Sequence, residues 1–553
     1  MPRQGWLTTA CLFALLLLIS VALHHDVLSA WWRFDDPSVL RFAIEHSPLQ
    51  YFFHASVWKS VATTNFTPWA YFSFGVDYRL FGLSPKGFYW HQLVSLAACA
   101  TLGYLLLRRY LSASAALCGA LAFLLGAPST QLAGQLMSRH YIEGLGFMMA
   151  ALLCLMRSPA GRIWIWAGTG FYLLACLAKE VYVPLPFLLP LLLTGAWRDR
   201  LGRAAPFFLT FAAYMLWRWH MLGSLGQSGY ATELPSMALV WHTARQFPEL
   251  LLGSGMFAWP AYAALLIAVL VLLREGRLPA MLASLGLLVA PLVPLMVKPG
   301  VDSPNRFLFL FWWALVMATG AAAGMLCRRL PGRASPLACL LLATLALGGF
   351  HQGKQAMLPV AAANQRFDVQ GRFLWLAGAD TVLLTDPLLS GVFWYRADLL
   401  KLREFNSQSP SAPAQAYDES MLVGETRPIH RYDEACGCMR AIDLAPMLAD
   451  WRSRTIETMP LSLDISLSND IFSWHFGPRP DGLYTLLVHE PDALRGAIPM
   501  AAQGTQRFKI RLDQRVVVQL RYQSTDGRLG YSERLVLPPG ANTTLSWQSK
   551  GRS

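Results

Sequence analysis

Two adjacent carboxylates, Asp35 and Asp36, follow the first long apolar run, in Trp31-Trp32-Arg33-Phe34-Asp35-Asp36-Pro37. A charge at an apolar boundary needs water, a partner or a chemical task. A carboxylate within hydrogen-bond reach of a hydroxyl can take its proton, and two neighbouring acids can divide the work, one acting while the other orients it. A plainer role is also open: Pro37 suits the first turn of a helix with Asp36 as its cap. The sequence does not fix which of the two would act.

Several cations could hold an anion. Lys179-Glu180 separates two apolar runs and is either an interfacial ion pair or a lysine on a phosphate, positioned by its acid. In Arg139-His140-x-x-Glu143 the histidine and glutamate are spaced i, i+3 and share a helix face. Arg139 and His140 suit an anionic group, with interfacial snorkelling as the alternative, and Glu143 lies inside the apolar boundary, where a carboxylate is costly. Arg306, in Asp302-Ser-Pro-Asn-Arg-Phe, offers a planar guanidinium suited to phosphate, with Lys298 close by. Arg218 stands near the end of the seventh apolar run.

The elements that must position these residues are apolar. Of 553 residues, 54% are hydrophobic and only 14% charged, against about 25% charged in a soluble domain; the mean hydropathy is +0.37. Eleven apolar runs, beginning with 6–23 and ending with 335–351, predict a polytopic α-helical membrane protein of about eleven spans. The first run is read as an uncleaved helix, since it is near spanning length and no A-x-A site follows. The net charge of +13 does not point to nucleic acid: no basic helix with interleaved aromatics is present. Arg3, Arg108, Arg109, Arg157, Arg162, Arg198, Arg200, Arg203, Arg274, Arg277, Arg328, Arg329 and Arg333 all fall on one side, against Asp199 and Glu275. That side is therefore expected to be cytoplasmic. The loop 25–90 with the acidic pair, Arg139, His140, Lys179, Lys298 and Arg306 then fall on the opposite, extracytoplasmic side.

Residues 1–351 are read as the membrane domain and 352–553 as an extracytoplasmic soluble domain, mixed α/β with its last hundred residues mainly β. Thr381–Thr385 reads as a buried strand, Phe508–Tyr522 alternates, and Asp526-Gly527 and Pro538-Pro539-Gly540 are turn signals. Cys436 and Cys438 suit a tight disulfide or free thiols better than a metal site, which would want further partners. Ser38–His46 is expected to form a short helix, and Thr67–Leu83 a second amphipathic one.

In order, the chain carries Phe34-Asp35-Asp36, then Phe66-Thr-Pro-Trp-Ala-Tyr-Phe-Ser-Phe, then Leu80-Phe-Gly-Leu-Ser-Pro-Lys-Gly-Phe-Tyr-Trp-His91-Gln, then Ala178-Lys179-Glu180-Val-Tyr-Val-Pro184, then Asn305-Arg306-Phe307. This series resembles the GT-C superfamily of polyprenyl-phosphate-sugar-dependent glycosyltransferases over roughly residues 1–350. It looks similar to bacterial relatives of the protein O-mannosyltransferases, including the membrane halves of the tetratricopeptide-repeat mannosyltransferases. The resemblance implies an inner-membrane hexosyltransferase that moves a sugar from a polyprenyl-phosphate carrier in the lipid bilayer to a hydroxyl acceptor on protein, lipid or glycan. It makes Asp35 the general base and Asp36 its neighbour. Lys179, Glu180 and Arg306, with Arg139 and His140, would form the donor phosphate site, and Glu143, His91, Lys298 and Arg218 would support it. No cofactor, metal or nucleic acid is implied. Gln92 stands where the family carries Asn, and the C-terminal part has no tetratricopeptide pattern. The readings from other classes are an envelope polysaccharide or lipid transporter, which would want broken helices and repeat symmetry, and a non-catalytic membrane assembly protein.

Overall fold

The structure is a computed structural model. It describes the whole chain except residues 1–4, 63, 158–160, 225–236, 290–305, 330–333, 387–388, 390–391, 407–410, 469–470, 480, 491–495, 508–514, 541 and 550–553. Contacts divide the chain into two compact units, one formed by Met1–Ala30 and Phe42–Ala361, the other by Trp31–Arg41 and Ala362–Ser553. The short segment carrying the acidic pair thus belongs with the C-terminal residues.

The first unit is helical because its sequence is a series of apolar runs cut by Gly, Pro and short charged loops. Its N-terminal part comprises α1 (Trp6–Leu23), α2 (Asp36–Glu45, which begins in the second unit), α3 (Gln50–Phe53), α4 (Ala55–Val61) and α5 (Pro68–Phe81). Then come α6 (Pro85–Leu107), α7 (Ala113–Leu125), α8 (Ala127–Ala133), α9 (Arg139–Arg157) and α10 (Ile163–Ala178). The series continues with α11 (Leu185–Leu192), α12 (Trp197–Leu222), α13 (Met237–Leu252), α14 (Ala258–Arg274), α15 (Leu278–Val289) and α16 (Phe309–Arg329). Helix α17 (Ala334–Leu376) runs on into the second unit.

Each of the eleven apolar runs falls on a helix where it is described, and the chain is a multi-pass membrane protein. The expected eleven full-length spans are fewer by length. Among the described residues four helices, α1, α6, α16 and α17, are long and apolar enough to cross a membrane, and the pair α7–α8, bent by 58°, makes a fifth. Helices α10, α14 and α15 are apolar but shorter. The reason is local: Lys179 ends α10, and Pro184, Pro186 and Pro190 cluster around the eight-residue α11, while Arg139 and Glu143 interrupt the apolar character of α9.

Among the described residues the second unit adds α18 (Phe393–Phe405), α19 (Leu444–Arg454) and thirteen strands. Strands β1 (Val382–Leu384), β2 (Ala414–Ala416), β3 (Ile429–Asp433) and β4 (Cys438–Ile442) form a sheet ordered β2-β1-β3-β4, parallel except for the β3–β4 hairpin. Cys436 and Cys438 are joined in a disulfide at the tip of that hairpin. The expected strand at Thr381–Thr385 is β1.

The remaining strands are β5 (Ser462–Ser468), β6 (Ile471–Gly477), β7 (Leu483–Glu490), β8 (Gly496–Met500), β9 (Gln503–Arg507), β10 (Val516–Gln523), β11 (Leu529–Tyr531), β12 (Leu535–Leu537) and β13 (Asn542–Gln548). They form two further sheets, ordered β11-β10-β7-β8 with β12 beside β10, and β13-β5-β6-β9. Their inner faces share one core, in which Leu463, Ile465 and Phe476 meet Leu486, Val518 and Leu520. Strand β10 (Val516–Gln523) alternates buried and half-buried residues, as its sequence pattern requires; the earlier part of the expected strand, 508–514, lies outside the described residues. Asp526-Gly527 forms the turn after β10, with Gly527 at φ 83°.

Ahead of β3, Glu425 accepts two hydrogen bonds from the Arg427 guanidinium at 2.9 and 2.6 Å. That guanidinium, with the backbone amides of Arg427 and Thr426, holds the carboxyl at about 2, against an ordinary 4.5. A depressed folded pKa means the stabilisation is complete above the unfolded value and disappears as pH falls through the folded one. Glu425→Gln should therefore lower the thermal midpoint near neutral pH and match the parent near pH ~2. A gap between the two that stays constant across a pH series of melts would contradict this.

Candidate active site

The acidic pair sits on a strained turn. Phe34 has φ 48°, a region that bulky residues rarely adopt and that is held only where the surroundings fix it. Its ring packs on Phe367 with centroids 4.6 Å apart. Arg33 makes a forked pair with Asp368, Nε at 2.8 Å and Nη2 at 2.5 Å, and Asp368 also accepts the Trp31 amide at 2.9 Å. Tyr395 donates to the Trp32 carbonyl at 2.9 Å. One turn further on, Arg41 pairs with Asp398 at 2.7 Å. The turn is thus held by α17 and α18, from more than three hundred residues away in the chain.

This surrounding gives the two acids different environments. Asp36 is fully buried and accepts the Arg33 amide at 2.9 Å. It is the first residue of α2 rather than a cap ahead of it: the Asp35 carbonyl accepts the Val39 amide at 3.0 Å, and the Asp36 carboxylate turns back along the chain to Arg33. Asp35 is half-buried, and its Oδ1 accepts the Trp394 indole N–H at 3.0 Å.

In the first unit, α5, α6 and α9 are tied by a buried polar network. Arg139, 1% exposed, pairs with Asp77 of α5. It also donates to the Phe88 carbonyl at 2.9 Å and to Gln92 at 3.4 Å, and it lies 4.8 Å from the centre of the Phe74 ring. His91 bridges the two acids, Nδ1 to Asp77 at 2.8 Å and Nε2 to Glu143 at 3.3 Å. Glu143 accepts Ser73 at 2.7 Å and the Trp69 indole at 3.0 Å. The Asp77 carboxylate, the Phe88 carbonyl and Gln92 thus take up donors of Arg139, which was expected at the donor phosphate. His91 and Glu143 support the same network.

Glu180 is likewise committed. It accepts the Phe66 amide at 2.8 Å and Arg218 Nε at 2.8 Å, while Arg218 donates to the carbonyls of Ser224 and Thr64 at 2.8 and 2.9 Å. Glu180, expected in the phosphate site, and Arg218, expected to support it, thus fasten the segment ahead of α5 to α12. Lys298 lies outside the described residues.

Three expected residues gather on one spot of the first unit. Lys179 Nζ lies 4.7 Å from the centre of the Tyr141 ring, and the His140 ring is 4.9 Å from the same ring. Arg306 covers Phe307, whose ring lies 6.5 Å from Tyr141. The charged groups that act on half-buried His140 are Lys179 and Arg306, both cations. His140 Nε2 is buried with no hydrogen-bond partner among the described residues. Two cations converging on one aromatic patch are an arrangement suited to an anion.

Gly144 makes this grouping possible. A Cβ at Gly144 would stand 2.4 Å from Tyr182 Cε2, so only glycine lets the 3-10 turn Glu180–Tyr182 lie against α9 and bring Lys179 to His140. Tyr182 is fully buried and donates to the Tyr141 carbonyl. Gly144→Val should therefore cost about 1–3 kcal/mol by overpacking, read as a lower thermal midpoint in detergent; an unchanged midpoint would show the contact to be slack.

Sequence reasoning passed over Asp77, Ser73 and Trp69, and over Asp368 and Trp394. Asp77 had a readable signal, being the one acid in the aromatic segment Pro68–Phe81; the last two had none, since their partners lie far off in the chain.

No family model matches this chain, and no curated protein does either. Among solved structures it is similar to ArnT from Cupriavidus metallidurans in the apo state, with a TM-score of 0.42 and 14% identity over 76% of this chain and 92% of that one.

Proposed function

We propose that this protein is a membrane glycosyltransferase that moves a sugar from a polyprenyl-phosphate carrier to a hydroxyl acceptor on the extracytoplasmic face. The observation that carries the reading is the convergence of Lys179 and Arg306 on His140 and Tyr141. Fixed cations are what a departing phosphate needs, because they stabilise developing negative charge with no reorganisation at the moment of reaction. Arg139, Glu143, His91 and Asp77 act as positioning residues that hold α9 in register, and Glu180 with Arg218 anchors the loop beside Lys179.

The acceptor oxygen attacks the anomeric carbon, the bond from that carbon to the phosphate oxygen breaks, and the lipid phosphate leaves with the bonding pair. The acceptor proton passes to a carboxylate, which we assign to Asp35. Asp36 holds the turn. The C-terminal unit, with its α/β sheet and β-sandwich, is assigned to the extracytoplasmic side, where acceptors are met.

The test is the envelope glycan profile of a strain carrying Lys179→Ala and Arg306→Ala, alongside immunodetection of the inserted protein. Loss of one electrostatic donor to a transition state typically costs about 10²–10³ in rate, so the glycan should vanish while the protein remains. A parental glycan profile with the double variant in the membrane at normal level would overturn the assignment.

A further inference from the structure

Helix α1 touches the rest of the protein along only part of its length. Leu16 and Ser20 are its buried residues, whereas Trp6 and Leu7 are 77% and 60% exposed. Its first half stands away from α6 and α9 and leaves a wedge of about 1140 Å³. The walls are apolar: Phe13 from α1, Leu102 and Leu105 from α6, Leu153 from α9, with small residues Ala98 and Ala150 widening the floor. Three arginines, Arg108, Arg109 and Arg157, stand at one end, and no acid among the described residues lines the space. Arg108 Nε is buried without a hydrogen-bond partner among the described residues, and the Arg157 guanidinium lies 5.1 Å from the centre of the Trp164 ring, on the flank of the wedge.

We propose that this wedge is a binding site for an anionic phospholipid. The headgroup phosphate sits on Arg108, Arg109 and Arg157, and the acyl chains fill the space between α1, α6 and α9. The charge and the shape agree on this occupant. In a bilayer the gap opens onto hydrocarbon, because only 11% of the residues in the apolar stretch of α1 are buried, and a dry void of that size is not left empty. A basic pocket between spanning helices is suited to acidic headgroups, and the arginines belong to the loops that the charge rule assigns to the cytoplasmic leaflet, where such lipids are abundant. The lipid would wedge α1 in place against α6. This site is separate from the cluster at Lys179, His140 and Arg306 and does not depend on the proposed transfer reaction.

The experiment uses the full chain in mild detergent, exposed to mixed micelles with equal amounts of phosphatidylglycerol and phosphatidylcholine, and native mass spectrometry of the retained lipid. Phosphatidylglycerol should be retained in clear preference, and Arg108→Gln and Arg157→Gln should each weaken that preference by about fivefold. Ala98→Trp, which fills the floor without changing charge, should remove both lipids. The wild-type protein alone gives a second reading: its thermal midpoint should rise with phosphatidylglycerol and not with phosphatidylcholine. Equal retention of the two lipids, an unchanged preference in both arginine variants, or the same rise with inorganic phosphate would overturn the site.

Discussion

Asp35→Asn should abolish sugar transfer and leave the protein folded, whereas Asp36→Asn should weaken the fold. The two substitutions are chemically identical, so the difference comes entirely from surroundings. An asparagine at 35 keeps an oxygen for the Trp394 indole, which donates to that position at 3.0 Å, but it has no basic oxygen to receive a proton. Loss of a general base typically lowers the rate by about 10²–10⁴. Asp36 is fully buried, so it meets no acceptor unless the turn moves. Its oxygen holds the Arg33 amide, and a flipped amide would set a donor against that donor at a site that stores left-handed strain at Phe34. The readout is a glycan profile for both strains together with the melting midpoint of both purified proteins. A parental glycan profile in the Asp35→Asn strain, with the protein inserted, would remove Asp35 from the chemistry. Loss of glycan in the Asp36→Asn strain at an unchanged melting midpoint would move the base to Asp36.

Arg139→Leu should be among the most destabilising single substitutions in the helical unit, at about 3–5 kcal/mol. The guanidinium is 1% exposed and pairs with Asp77, and its removal strands a carboxylate that is itself 1% exposed. His91 would then be the partner remaining to Asp77. The prediction is sharpened by a double-mutant cycle. Asp77→Leu should cost a similar amount, and Asp77→Leu with Arg139→Leu should cost much less than the sum, because a matched apolar pair replaces two desolvated charges. Thermal or denaturant unfolding in detergent gives the three values. Strictly additive costs would mean that the pair does not act as a unit, and that Arg139 contributes through its contacts with Phe74 and the Phe88 carbonyl instead.

Local chemistry was legible in the sequence wherever its cause was local. The apolar runs fold as helices, Pro68 and Pro85 open α5 and α6 as proline does at a first turn, and the alternation of Val516, Val518 and Leu520 places them in the sandwich core. The grouping of Lys179 with His140 and Arg306 follows from residues that had each been noticed separately as charges at an apolar edge. What stayed hidden was pairing. Nothing near Arg139 in the sequence shows that Asp77 will take its charge, since the two lie 62 positions apart. Arg218 stands in the sequence as a cation at the end of an apolar run, and its partner Glu180 is 38 positions away. An unpaired-looking cation in a sequence is therefore a question about distant acids before it is a phosphate site.

The forked pair between Arg33 and Asp368 has a consequence in time. The two residues are 335 positions apart, and at about 5–20 residues per second of synthesis the aspartate emerges tens of seconds after the arginine. During that interval α1 can already be threaded into the bilayer while the Asp35 turn lacks Asp368, Trp394 and Tyr395. The turn at Phe34 is thus fastened only after the helices that hold it, α17 and α18, have been made. A chain halted before Asp368 would hold α1 in the membrane with the turn at Phe34 still unfastened.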